Sequence, residues 1–213
     1  MRIALFGGTF DPPHRGHIAV AKAAADTFAL DQVLFAPTGL QPLKLEATPS
    51  PFADRLGLVR AACTCDPRFA VSAIDAPRDD HAPNYTVDTL AALQSALQSA
   101  MSAVMPAAKP ADTLFNLVGA DSFLSLRRWR EPDRLLELAE WIVVTRPGYA
   151  LSEQDLQPLH LTPQQRLRVH MLAGVEEDVS ATGLRERLRR GEPCDDLLPQ
   201  PVAAYIGEHG LYR

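Results

Sequence analysis

Short runs of apolar, β-branched and aromatic residues recur along the chain, and the stretches between them carry apolar residues at helical spacing. Residues 3–6, 33–36, 69–71, 114–118, 141–145 and 169–172 are such runs and predict strands. Between them Ile18, Ala21, Ala25 and Phe28, and again Leu90, Leu93 and Leu97, put one apolar stripe on each predicted helix. Strand–helix units repeated in this way predict an α/β fold, a Rossmann-like doubly wound parallel sheet. Residues 94–112 are rich in Ala, Ser and Pro with no charge before Lys109, and predict a helix end followed by an irregular connection. Leu184 and Leu188, then Val202, Tyr205 and Ile206, predict two short closing helices near the C-terminus. No internal repeat is present, and one domain over residues 1–213 is expected.

Length and charge narrow what such a fold could do. A chain of 213 residues can bury one sizeable core. A net charge of -5 and an isoelectric point near 5.7 argue against a surface made for nucleic acid or an anionic membrane, both of which need a dominant basic patch. Any phosphate bound should therefore be held locally. Cys63, Cys65 and Cys194 are odd in number and show no metal-type Cys/His spacing, so they read as thiols in a reducing compartment. No segment reaches the ~18 apolar residues of a bilayer span, and a cytoplasmic protein is expected. On oligomeric state the sequence is silent.

The loop after the first strand carries the densest chemistry: Gly7-Gly8-Thr9-Phe10-Asp11-Pro12-Pro13-His14-Arg15-Gly16-His17. In an open parallel sheet ligands bind beyond the carboxyl ends of the strands, and this loop is the usual phosphate position. Gly7 and Gly8 let a phosphate approach the main chain, and Pro12 and Pro13 stiffen the entry to a helix. His14 and His17 are three apart at that helix start and share a face. Two imidazoles at a helix N-terminus suit a polyphosphate, whose charge would favour their protonated forms. The segment is neither a Walker loop nor a dinucleotide fingerprint. A zinc site at His14 and His17 lacks a third ligand at sensible spacing.

This segment resembles the signature of the nucleotidylyltransferase superfamily, and nearly the whole chain is similar to the bacterial nicotinate-nucleotide adenylyltransferases. Asn84-Tyr85-Thr86-Val87-Asp88-Thr89-Leu90 resembles the family's Ser-Tyr-Thr-x-Asp-Thr-Leu, which implies that Tyr85 and Thr86 receive the nicotinate end of the substrate. A helix starting at Thr86 offers free N–H donors and a positive dipole end to a carboxylate. Asn116-Leu117-Val118-Gly119-Ala120-Asp121, with Trp129 after it, resembles a strand-Gly-x-Asp block in which Gly119 and Asp121 meet ribose and Trp129 stacks on the pyridine. Read from residue chemistry alone, Asp121 could equally cap a helix, and Trp129 could be a core aromatic, against which its neighbours Arg127, Arg128, Arg130 and Glu131 point to a solvent-facing setting. Val179-Ser180-Ala181-Thr182-Gly183-Leu184-Arg185 resembles a late signature that places Ser180, Thr182 and Arg185 on the ATP phosphates. Arg146-Pro147-Gly148 also matches the family.

The resemblance implies ATP and nicotinate mononucleotide as substrates, with Mg2+ entering on ATP. It assigns Gly7, Gly8, Thr9, Phe10, His14, His17, Gly119, Asp121, Ser180, Thr182 and Arg185 to ATP. Lys44, Tyr85, Thr86 and Trp129 go to the mononucleotide, and His14, His17, Lys44 and Arg185 are the catalytic set; no resident metal site is expected. The C-terminal helices, from about residue 182, would close the nucleotide site. The chain departs from the family at Gln41-Pro42-Leu43-Lys44 (usually Pro-Pro-His-Lys), at Asn84, at Ala181, and across residues 75–83. These departures leave open an acceptor such as nicotinamide mononucleotide or phosphopantetheine, although Thr86 and Trp129 weigh against the latter. A non-catalytic nucleotide-binding regulator is the other alternative, opposed by the retained histidines, Lys44 and Arg185.

Overall fold

The computed structural model describes residues 1–43, 48–102, 112–145, 151–175 and 179–213, with the backbone alone for 100–102. In chain order the elements are β1 (Arg2–Gly8), α1 (Arg15–Thr27), β2 (Gln32–Pro37), α2 (Phe52–Cys63), β3 (Phe69–Val71), α3 (Thr86–Ser102) and β4 (Thr113–Gly119). They are followed by α4 (Ala120–Leu124), α5 (Pro132–Leu138), β5 (Glu140–Val144), α6 (Glu153–Leu156), α7 (Pro163–Leu167), β6 (Val169–Leu172), α8 (Ala181–Arg189) and α9 (Gln200–His209).

Every predicted strand forms. All five pairings are parallel, in the order β3-β2-β1-β4-β5-β6, so β1 and β4 are neighbours at the point where the winding reverses. Alternation along β1 divides the core between the two faces of the sheet. Ala4 and Phe6 pack with residues of α1, α2, α8 and α9, while Leu5 packs with residues of α3, α4 and α5.

The helix read as ending within residues 94–112 ends at Ser102, as Ala, Leu and Gln sustain it that far without charged residues; the connection expected over residues 103–111 lies outside the described residues. One expectation needs adjusting: the pattern gave no helix over residues 52–63. There α2 buries Arg55, Leu58, Val59, Ala62 and Cys63, and the arginine at a core-facing position interrupts the apolar stripe. No described helix is long and apolar enough to cross a membrane.

Candidate active site

The β1 loop is held from several sides. Arg55, 1% exposed, donates from Nε to the Ser50 carbonyl and from Nη1 to the carbonyls of Thr9 and Thr38, at 2.9 Å each. Asp11, also buried, accepts from the Tyr212 hydroxyl at 2.6 Å and from the Ser50 N–H at 3.0 Å. Its backbone carbonyl accepts from Arg185 Nη1 at 2.7 Å. Arg15, just after the loop, donates to carbonyls of Asp195, Leu197 and Leu198. Residues far apart in sequence thus fix where the loop presents its histidines.

The His14 and His17 rings are in contact at a tilt of 35°, with centroids 3.8 Å apart, and the His14 N–H donates to His17 Nδ1 at 3.2 Å. Phe10 packs edge-on against the His17 ring. Burial lowers the His14 pKa to about 4, and burial together with the neighbouring His14 holds His17 well below the usual imidazole value. Both rings are therefore neutral at pH 7 in the free protein. His14 Nδ1 is buried with no hydrogen-bond partner among the described residues. A polar atom left in that condition costs stability unless a ligand supplies its partner.

Across the loop lies a cleft of about 1000 Å³ open to solvent. Gly7 and Gly8 form its β1 edge, Gly119 its β4 edge, Tyr85 and Thr86 the start of α3, and Trp129 and Arg130 the far wall. A Cβ placed on Gly7 or Gly119 would meet nothing within 4 Å, and neither residue has the positive φ that would demand glycine. What their bareness preserves is room in the cleft. Trp129 donates from Nε1 to Ser125 Oγ at 3.1 Å and meets Trp141 edge-on, so its ring is fixed in a half-buried setting. Arg130 lies 4.7 Å over the Tyr85 ring. Asn84 does not cap α3: its side chain accepts from the Leu40 N–H and donates to the Ala76 carbonyl, pinning two loops together.

The predicted site residues fall into two groups. Gly7, Gly8, Tyr85, Thr86, Gly119 and Trp129 line the cleft. Thr9, Phe10, His14, His17 and Arg185 build the loop and its support, Phe10 with its side chain in the core. Ser180 caps α8, accepting from the Gly183 N–H, and Thr182 Oγ1 accepts from Arg185 Nη2 at 3.3 Å. Asp121 is exposed in the first turn of α4 and is not part of the cleft wall. Lys44 and Arg146 lie outside the described residues. Sequence reasoning missed Arg55, Tyr212, Asp75 and the place of Asn116. The last had a readable signal, a lone amide inside the apolar run Leu114-Phe115-Asn116-Leu117-Val118.

Asp75 lines the cleft and is buried, accepting from the Thr89 hydroxyl at 2.5 Å. Burial pushes its pKa up, against that hydrogen bond. No three His, Cys, Asp or Glu side chains converge as metal ligands among the described residues.

The Cytidylyltransferase-like family model matches residues 5–187. A protein of Roseiflexus sp. strain RS-1 named probable nicotinate-nucleotide adenylyltransferase is 39% identical over 212 residues, 99% of this chain and 98% of that one. A protein of the same name from Thermus thermophilus is 37% identical over all of both chains. Among solved structures, the Plasmodium falciparum nicotinic acid mononucleotide adenylyltransferase complexed with NaAD superposes with a TM-score of 0.73 over 99% of this chain and 97% of that one. At 15% identity that last likeness speaks for the fold alone. With the family model over most of its length and relatives matched end to end, the chain belongs to the cytidylyltransferase-like family and, within it, to the nicotinate-nucleotide adenylyltransferases.

Proposed function

We propose that this protein transfers the adenylyl group of ATP to nicotinate mononucleotide, releasing deamido-NAD and pyrophosphate, in one domain whose C-terminal helices close the nucleotide site. The observation that carries this reading is the division of the sheet's mouth at the β1 loop. Two imidazoles in ring-to-ring contact stand on one arm, supported by Arg185, and a cleft edged by bare glycines stands on the other. Such a layout suits two anionic substrates meeting end to end. The full-length relatives named for this reaction support the choice of acceptor.

The acceptor phosphate is already an anion and needs no general base. Its oxygen attacks the α-phosphorus of ATP in line, the bond to the bridging oxygen of the β-phosphate breaks, and pyrophosphate leaves with that electron pair. Rate then depends on alignment and on neutralising charge as it builds on the leaving group. His14 and His17 are neutral while buried and gain protons as the triphosphate arrives. Ser180, Thr182 and the α8 N-terminus add donors and Arg185 a fixed positive charge, and the resemblance assigns a second such charge to Lys44. Gly119 and Asp121 meet ribose, Trp129 stacks on the pyridine, and Tyr85 with Thr86 receives its carboxylate.

Magnesium fits as a passenger of ATP. Asp11, the carboxylate nearest the histidines in sequence, is taken up by Tyr212 and Ser50, and no protein cage is built among the described residues. A hard cation that keeps several waters and binds through substrate phosphates needs none, and on the triphosphate it would neutralise charge. A cytoplasmic setting, where its nucleotides are made, belongs to the same reading. Pyrophosphate release with ATP and, separately, nicotinate mononucleotide, nicotinamide mononucleotide and phosphopantetheine tests it. Fastest turnover is expected on the first, and turnover on none of them overturns the enzymatic reading.

A further inference from the structure

Asn116 is 2% exposed, yet it is part of the cleft wall, and its Nδ2 has no hydrogen-bond partner among the described residues. Its register partner on β5 is Trp141, fully buried, whose Nε1 is also without a partner. Partners in a parallel ladder point their side chains to the same face, so two orphaned donors lie on adjacent strands beneath one cleft. A buried polar group left unmade is costly, and two on neighbouring residues call for an explanation. Nothing in its apolar surroundings explains an amide there, since its same-face neighbours along β4 are Leu114 and Val118.

The position within the cleft points to a ligand group. Asn116 stands three residues before Gly119, about 10 Å down the strand from the mouth where phosphates are expected. Its other register partner is Leu5 on β1, likewise below the strand end and likewise in the cleft wall. The group that reaches this depth is the end of the acceptor remote from its phosphate, on the pyridine ring that Trp129 flanks. The last torsion of an asparagine is a soft, roughly twofold one, so a half-turn exchanges the ends of the amide at small cost.

Resting on the reaction proposed above, we infer that Asn116 is a specificity-determining residue: its N–H donates to the pyridine carboxylate of nicotinate mononucleotide while its oxygen accepts from the Trp141 indole. One ligand and one half-turn then satisfy both orphaned donors. The first-turn N–H groups of α3 at Thr86 are donors too, so the ring substituent meets donors from two directions. A carboxylate offers two accepting oxygens, whereas a carboxamide offers one and brings two donors of its own. Asp75 is the only carboxyl among the described lining residues, and its burial favours the uncharged form, which lessens repulsion of an anionic acceptor.

The test compares kcat/KM for nicotinate and nicotinamide mononucleotides, and KM for ATP, in the wild type, Asn116→Leu and Asn116→Asp. The ratio of the two kcat/KM values does not depend on how much of a variant is folded, so even a weakened variant is informative. Asn116→Leu is expected to lower the nicotinate preference by about tenfold or more, through KM for the acceptor, with KM for ATP unchanged. Asn116→Asp should lower it further by setting one carboxylate against another. An unaltered ratio in both variants, with the wild type active on nicotinate mononucleotide, overturns the role of Asn116 and leaves the reaction standing. A wild type that turns over only a different acceptor overturns the reaction itself, and this inference with it.

Discussion

His14 and His17, which we propose grip the triphosphate, are neutral groups. Burial disfavours their charged forms, so the free protein keeps two uncharged imidazoles where ATP would bring negative charge. His14 has a folded pKa of about 4 against 6.5 unfolded, so the native state binds this proton more weakly than the unfolded chain does. Stability is complete above pH 6.5 and falls as the pH drops toward 4, by about 3 kcal/mol for this group. Urea titrations at pH 7.5 and 4.5 should show that loss, shrinking in a His14→Gln variant. His17→Ala should lower kcat by about 10²–10³ while the far-UV spectrum is preserved; near-normal turnover in the purified variant would remove His17 from the reaction. Both histidines were legible from the sequence because their spacing and the glycines before them are local features. Asp75 was not, and Asn116 was legible only as a lone amide in an apolar run, because only the folding of β4 and of the loop after β3 brings the two to one wall.

The four inner strands were legible because they are buried on both faces and so read as apolar runs. Helix α2 was hidden for the opposite reason: its innermost turn carries Arg55, whose role is to bond three carbonyls of the loops around it. The same helix carries Gly57, where a Cβ would collide with the Tyr205 ring of α9. Alanine is worth about 1 kcal/mol over glycine inside a helix, whereas forcing atoms into a filled contact costs about 1–3 kcal/mol. Because the collision is with a ring packed between two helices, the packing cost should win. Gly57→Ala is expected to lower the thermal midpoint, and Gly57→Ala with Tyr205→Leu to recover part of the loss; a midpoint that rises in the single variant would show that α9 gives way freely.

At the scale of the whole molecule, the β1 loop, the arm proposed to hold the triphosphate, is a junction between the two ends of the described chain. Asp11 is bonded by Arg185 and Tyr212, and Arg15 by three carbonyls from residues 195–198. Tyr212→Phe leaves the buried Asp11 carboxylate short of one partner, at a cost of about 1–3 kcal/mol. It is expected to lower the melting temperature and to raise KM for ATP, leaving KM for the acceptor unchanged; an equal rise in both would place the effect on the sheet as a whole. No local pattern signals this junction, since a tyrosine and an aspartate 201 residues apart give no periodicity to read. That separation also sets an order of events during synthesis. At 5–20 residues per second, roughly 10–40 s pass between the ribosome adding Asp11 and adding Tyr212. The glycine-edged cleft can form in a nascent chain well before the arm beside it is clasped. A translation product that stops between α9 and Tyr212 keeps the helix but lacks the clasp, and on the reading proposed above it would still hold a mononucleotide while gripping ATP poorly, sequestering one substrate without consuming it.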